Sequence, residues 1–393
     1  MTTAASRRAY QGPTLFSFGF RPFFLFGAAW GALAVPLWVH SFLLGGVHAV
    51  SRDWHVHEML FGFLAAIVAG FLTTAVPNWT GRMPVIGAPL AGLVALWIAG
   101  RIAMLYEHAL GPVAAAVDSA FLVMFAAVIW REVLAGRNWR NLPVCGLVSV
   151  FALGNVAFHF NGVLWSAGLG ERMALGAILV LLSLIGGRIT PSFTRNWMRA
   201  NRVAEPPPPW IRLDQFGLGA AAVASAAWIL APEARGTGVL LVLAGFANLA
   251  RLWRWGGWRT LRAPMVWILH LGFAWLGGAQ ILLGATLLCP LVPRTAGVHA
   301  LTAGAVGVMT LAVMTRATRG HTGRPLVAGG ATTTLYAIVN AAALARVAAP
   351  FFDGARVGLL VASASLWALA FGGFAVVYGR MLATPRPLVA ANA

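Results

Sequence analysis

Nine histidines are the abundant groups in this chain able to hold a metal. Imidazole is the commonest metal ligand in proteins and suits haem iron and copper. When the long apolar runs are counted as alternating crossings of a membrane, the histidines do not scatter. His40 and His48 flank the end of the first run, His55 and His57 open the second, and His108 lies in the loop after the third. His159 ends the fifth run and His299 opens the tenth, all on one face, while His270 sits several residues into the ninth and His321 lies on the opposite side. Ionisable residues inside a membrane are costly and face the bundle interior, so convergence on one leaflet points to a site. His55, His57, His159, His270 and His299 form the candidate metal set. His40, His48 and His108 read instead as ordinary interhelical or interfacial hydrogen-bonding groups, worth about 1 kcal/mol each.

The neighbours of these histidines sharpen the reading. His55 and His57 are two residues apart, so on a helix they point about 200° from each other and serve different partners. His55 shares a face with Met59, an arrangement compatible with a soft metal, with plain packing as the alternative. Glu58 adjoins His57, where it can orient a ligand histidine or relay a proton. Asn155 lies one turn before His159 and can support it. Cys145 and Cys289 are isolated within apolar runs and form neither a disulfide framework nor a zinc pattern. No Ser–His–Asp arrangement, phosphate loop or HExxH motif supports hydrolase or nucleotide chemistry.

The composition dictates what positions these residues. The 393-residue chain is 60% hydrophobic and only 10% charged, with a mean hydropathy of +0.79, whereas soluble domains carry about 25% charged residues. One soluble core cannot hide so many apolar side chains. The apolar residues fall into about twelve runs of bilayer-crossing length, which predicts an all-α polytopic membrane protein. The net charge of +18, made entirely of arginine, punctuates apolar stretches rather than forming a polar stripe, which argues against nucleic-acid binding.

The longest polar break, 188–213, holds Arg188, Arg195, Arg199, Arg202, Arg212 and the run Pro206 to Pro209. It reads as a linker between two six-helix halves, 20–187 and 214–380, with no sequence repeat evident between them. With the N-terminus placed inside, 21 arginines fall on the cytoplasmic side and 7 on the other. This bias predicts that both termini and the linker are cytoplasmic. No cleavable signal peptide is evident, so the first span is expected to act as its own insertion signal. The arginine-rich turns after the second, sixth and tenth spans are explained by the same bias, though their side chains also suit carboxylate or phosphate binding.

Several longer stretches carry a resemblance. Phe20-Arg21-Pro22-Phe23-Phe24 precedes the first span, and Trp54-His55-Val56-His57-Glu58-Met59-Leu60-Phe61-Gly62-Phe63 opens the second. They are joined by Ala69 through Gly81, the Arg188 to Trp197 turn, and His299 through Gly320-His321-Thr322-Gly323-Arg324-Pro325. With these the chain resembles the NnrS family of bacterial nitric-oxide-response membrane proteins over nearly its whole length. The resemblance implies a twelve-helix protein of the bacterial inner membrane that contains haem, of b type, and copper, and acts in nitrosative stress. Nitric oxide or an iron-nitrosyl species is the implied ligand, bound or converted, with an electron donor left open. A transporter of a metal or haem, and a non-catalytic sensor or assembly factor, are the alternatives.

A further likeness is to the oxidase catalytic subunit, in which histidines on helices 2 and 10 clamp a haem. By that analogy His57 and His299 are expected to ligate haem, with Arg52 and Arg294 placed to pair with its propionates. Gly62, Gly304 and Gly307 are expected to allow close approach. His55, His159 and His270 then form the pool for copper or a second axial position. Span 6 has no histidine and span 7 no His-His pair, so oxygen reduction is not expected.

Overall fold

The computed structural model describes residues 10–45, 50–160 and 166–386; His48, Arg7 and Arg8 lie outside them. Among the described residues the fold is all-helical, with twelve helices long and apolar enough to cross a membrane. They are α1 (Phe20–Leu44), α2 (Arg52–Thr80), α3 (Ala88–Leu105), α4 (Pro112–Ala135), α5 (Trp139–His159) and α6 (Leu169–Ala200). The series continues with α7 (Arg212–Leu230), α8 (Arg235–Arg254), α9 (Pro264–Leu288), α10 (Arg294–His321), α11 (Gly330–Phe351) and α12 (Asp353–Ala383). Their ends follow local chemistry. The Ser51 side chain accepts the Trp54 N–H at 3.1 Å and caps α2, while Gly81, at φ 69°, closes it in the left-handed conformation that glycine permits.

Three helices stand apart. In α2, α6 and α10, 78%, 72% and 78% of the most apolar stretch is buried, against at most 61% in any other. Each of the three carries a π-helical turn, at Glu58–Leu64, Leu182–Gly186 and Ala300–Val306. Such turns are rare and concentrate at functional sites. The interruption therefore recurs at every fourth helix. In α2 and α10 the construction is the same: a six-residue α-helical start ends on a histidine, and a seven-residue π segment follows at once. Arg52, His57 and Gly62 are spaced as Arg294, His299 and Gly304 are. Of the residues between those three positions only Val56 and Val298 agree, so the repeat is hard to see in the sequence alone.

The chain forms two compact units: residues 1–159, 314–326 and 371–393 make unit 1, and 160–313 with 327–370 make unit 2. Each is taken by itself. The boundary after His159 differs from the division expected at 188–213, and so does the local structure there, because α6 runs on through Ala200. Thr190, Thr194 and Met198 recur at helical spacing and are fully buried. The polar residues between them form the solvent side of an amphipathic helix end, which a count of charges alone reads as a linker.

In unit 1, Arg21 ties α1 to the end of α12 by donating to the carbonyls of Met381, Leu382 and Thr384 at 3.3, 2.7 and 3.0 Å. Unit 2 is organised around Arg251 of α8, which is fully buried. Its guanidinium donates to Asp214 of α7 at 3.3 Å, to the Ser183 hydroxyl in the α6 π turn at 2.8 Å, and to Asn248 at 2.7 Å. Asn248 in turn donates to Gln280 of α9 at 2.7 Å. Trp210, Trp255 and Phe273 lie 5.3 to 5.6 Å from the guanidinium carbon, a cation–π cage on a desolvated charge.

Candidate metal centre

Four helices of unit 1 bring ionisable side chains to one place. The α-helical start of α2 ends on His57, and its π turn begins on Glu58. Antiparallel helices alternate direction, so the start of α2 lies level with the end of α3, the start of α4 and the end of α5. Those ends carry Arg101, Asp118, and Asn155 with His159. Gly100 lets α3 and α4 approach closely, since a Cβ there would stand 3.2 Å from the Asp118 Cα.

The result is a continuous polar cluster in a nearly dry place. His57 Nδ1 is 3.0 Å from Glu58 Oε1, and His57 Nε2 is 2.9 Å from Asp118 Oδ2 and 3.3 Å from Asn155 Oδ1. His159 Nε2 meets the same Asp118 Oδ2 at 3.0 Å. Arg101 donates to both Glu58 oxygens at 2.9 Å and pairs with the other Asp118 oxygen. The side chains of His57, Glu58 and Asp118 are 0% exposed, and those of Arg101 and His159 4% and 3%. With neutral imidazoles, two carboxylates face one guanidinium and leave one net negative charge. Burial strongly disfavours such a charge, and a proton on His57 or a bound cation balances it.

The donor set suits a metal. His57 Nε2, His159 Nε2 and an Asp118 oxygen lie within 4.8 Å of one another, so bonds of about 2.1 Å to one ion need only small side-chain shifts. Glu58 on the far nitrogen of His57 completes a carboxylate–histidine pair of the kind that fixes the tautomer of a metal ligand. Asn155 Nδ2 and Arg101 Nε are buried beside it without a hydrogen-bond partner among the described residues.

The π turn makes room for this group. Gly62 offers its carbonyl to the Trp97 indole N–H at 3.0 Å, and a Cβ at Gly62 would stand 2.6 Å from Arg101 Nη1, 2.7 Å from Glu58 Oε2 and 2.9 Å from Trp30 Nε1. Gly62→Ala is therefore expected to destabilise the protein by about 1–3 kcal/mol, the usual cost of overpacking. It should also lower its metal content, and thermal unfolding in detergent with metal analysis checks both.

Of the five candidate metal histidines, the structure brings His57 and His159 together. His55 stacks on Trp38, ring centroids 4.1 Å apart at 19°. His270 lies in unit 2, hydrogen-bonded through Nε2 to Thr194 Oγ1 at 2.8 Å. His299, also in unit 2, has Nδ1 2.7 Å from the Thr295 carbonyl. Arg52 is exposed at the start of α2, and Arg294 pairs with Glu233 at 2.8 Å on the surface.

The glycines of α10 are occupied as well. A Cβ at Gly304 would run into the Trp275 ring, and one at Gly307 would stand 2.7 Å from the Trp367 ring. Both positions receive tryptophan rings, a close approach of the kind their glycines allow. The sequence reading missed Asp118 as a member of this cluster and Arg101 as its counter-ion. Arg101 is the one charged residue of α3, and Asp118 the one charged residue in the first half of α4. A single charge in an apolar helix was the available signal.

A family model described as NnrS protein matches residues 14–386. No curated protein matches the chain.

Proposed function

From its membership of the NnrS protein family, to which the chain belongs over nearly all its length, we propose that it is a metal-containing membrane protein of the nitric-oxide response. Its transition-metal centre is His57, Asp118 and His159. The observation that carries this reading is the approach of both histidines to one Asp118 oxygen, at 2.9 and 3.0 Å, in a cluster closed to solvent. When bound, the metal supplies an open coordination position for a small ligand such as nitric oxide. An apolar diatomic reaches such a site through the bilayer without a polar channel.

The protein side chains do the rest. Glu58 holds the His57 ring in the tautomer that turns Nε2 toward Asp118, Arg101 offsets the two carboxylates, and Trp97 pins the π turn behind them. Haem is the other group the family implies, and the two histidines expected to ligate it differ in fitness. His57 has carboxylates on both ring nitrogens, which does not fit an axial haem ligand. His299 has its Nδ1 on a backbone carbonyl one turn earlier. A backbone carbonyl on Nδ1 sets the tautomer and ring orientation of a ligating histidine. We accordingly assign haem to His299 and the metal ion to the unit 1 cluster.

Purified protein separates the two assignments. His159→Ala is expected to lose the metal ion while keeping a haem Soret band, and His299→Ala to do the reverse, each measured on correctly inserted protein. Full metal content in both His159→Ala and His57→Ala overturns the assignment of the centre.

A further inference from the structure

At the opposite end of unit 1 from the metal cluster, the start of α1 meets the ends of α10 and α12. His321, the last residue of α10, stacks on Phe18 and Phe20, ring centroids 5.7 and 5.5 Å away. The Arg21 guanidinium carbon lies 5.6 Å from the Phe20 ring, and its N–H groups donate to the last carbonyls of α12. The chain turns back just after His321. The Arg324 N–H returns to the Arg319 carbonyl at 2.9 Å, and the Arg319 side chain donates to the Pro325 carbonyl at 2.6 Å. Gly323 holds a φ of 72° in that turn, and a Cβ there would run into the Arg386 guanidinium. Arg21, Arg324 and Arg386 thus converge from three separate stretches of chain.

Nothing of opposite charge accompanies them. No Asp or Glu occurs in 1–52, 234–352 or 354–393, the stretches that hold all these residues. The carboxylates of unit 1 are engaged elsewhere. Glu58 and Asp118 belong to the metal cluster, Glu132 pairs with Arg82 and Arg131, and Asp53 and Glu107 stand at helix ends on the far side.

Arg21 is offset in part by the carbonyls at the C-terminal end of α12. Arg324 is not. Its charge repels that of Arg21, and its Nη1 is buried without a hydrogen-bond partner among the described residues. The Thr318 hydroxyl, one turn before His321 and 0% exposed, is likewise without one. A buried, unmet guanidinium N–H beside a like charge is costly. The positive-inside bias calls for arginines at a helix end, but it does not call for burying one there.

We infer that this corner binds the phosphate group of an anionic ligand, in the membrane the headgroup of an anionic phospholipid. Phosphate oxygens accept from arginine forks as charge-assisted hydrogen bonds. They supply both the negative charge that the three arginines lack and acceptors for the unmet donors. The ends of membrane-spanning helices stand at headgroup depth, where anionic lipids draw clustered basic residues.

The test uses full-length protein purified in detergent and stripped of lipid, then offered phosphatidylglycerol, phosphatidylcholine or inorganic phosphate. Retained lipid is counted by native mass spectrometry, and stability is followed by thermal unfolding. Phosphatidylglycerol is expected to be retained and to raise Tm, and phosphatidylcholine to do neither. Arg324→Gln is expected to lower retention about 10-fold, the effect of losing one charge-assisted hydrogen bond. Arg386→Gln, at an exposed position that leaves the fold intact, is expected to do the same. Arg140→Gln removes the same charge from the exposed start of α5 and should leave retention unchanged. Stabilisation by inorganic phosphate that both corner variants abolish, with the two lipids retained alike, overturns the lipid assignment and gives the site to a soluble phosphate compound. Phosphatidylglycerol retention that both corner variants leave intact, or that Arg140→Gln lowers equally, overturns the site. So does the absence of any response to phosphatidylglycerol and to inorganic phosphate.

Discussion

Arg101→Met is expected to destabilise the protein by about 3–5 kcal/mol, the usual effect of removing one partner from a buried ion group. Methionine nearly matches the volume of the arginine side chain, so packing changes little and the loss is electrostatic. Glu58 and Asp118, both 0% exposed, would face each other with only His57 and His159 to offset them. The change should appear as a sharp fall in the heating temperature at which detergent-purified protein stays monodisperse. Adding Glu58→Gln to Arg101→Met should recover most of the loss, because the second change removes the charge that the first one orphaned. If Arg101→Met melts like wild type, the charge balance assigned to this cluster is wrong.

Arg251→Met tests the other buried cation. Its guanidinium donates four hydrogen bonds to Ser183, Asn248 and Asp214 and is enclosed by three aromatic rings. Removing it leaves these acceptors poorly matched and empties a space flanked by Gly187 and Gly217, both of which lie against the arginine side chain. The expected loss is about 3 kcal/mol, moderated because Arg254 still pairs with Asp214. Yield should fall, but the metal bound per surviving protein should not, since every group involved belongs to unit 2. In Arg101→Met both quantities should fall. Loss of metal from Arg251→Met would mean that the cluster depends on unit 2 in a way the local contacts do not require.

The fold was largely legible in the sequence, because long apolar runs have one solution in a membrane and the arginines between them separate the runs. The site was legible in part. His57 and His159 stood out because imidazole is scarce in apolar helices, and the 200° separation of His55 from His57 told that they meet different partners. Asp118 went unassigned, since a lone carboxylate in an apolar helix carries no trace of which helices will face it. Arg101 entered only as one of the seven arginines on the outer side, for the same reason: it lies at the end of a run, where snorkelling to the surface and pairing inside the bundle look alike in sequence. The α6 extension was hidden by counting charges across 188–200 instead of following Thr190, Thr194 and Met198 along one face.

The π turn after His57 has a consequence for which changes this site tolerates. A π turn arises where a helix holds one residue more than its hydrogen-bonding rhythm requires. Deleting any single residue from Glu58–Leu64 would let α2 close into a regular helix. Everything before the deletion would then rotate by about 100° and shift by about 1.5 Å relative to everything after it. His57 would swing away from Asp118 and His159 although no ligand had been changed, and the same holds for His299 and the Ala300–Val306 turn. In both helices the number of residues in the turn constrains descent as tightly as the identity of the histidine before it. Point substitutions along the turn are graded in effect, whereas insertions and deletions there are all-or-none.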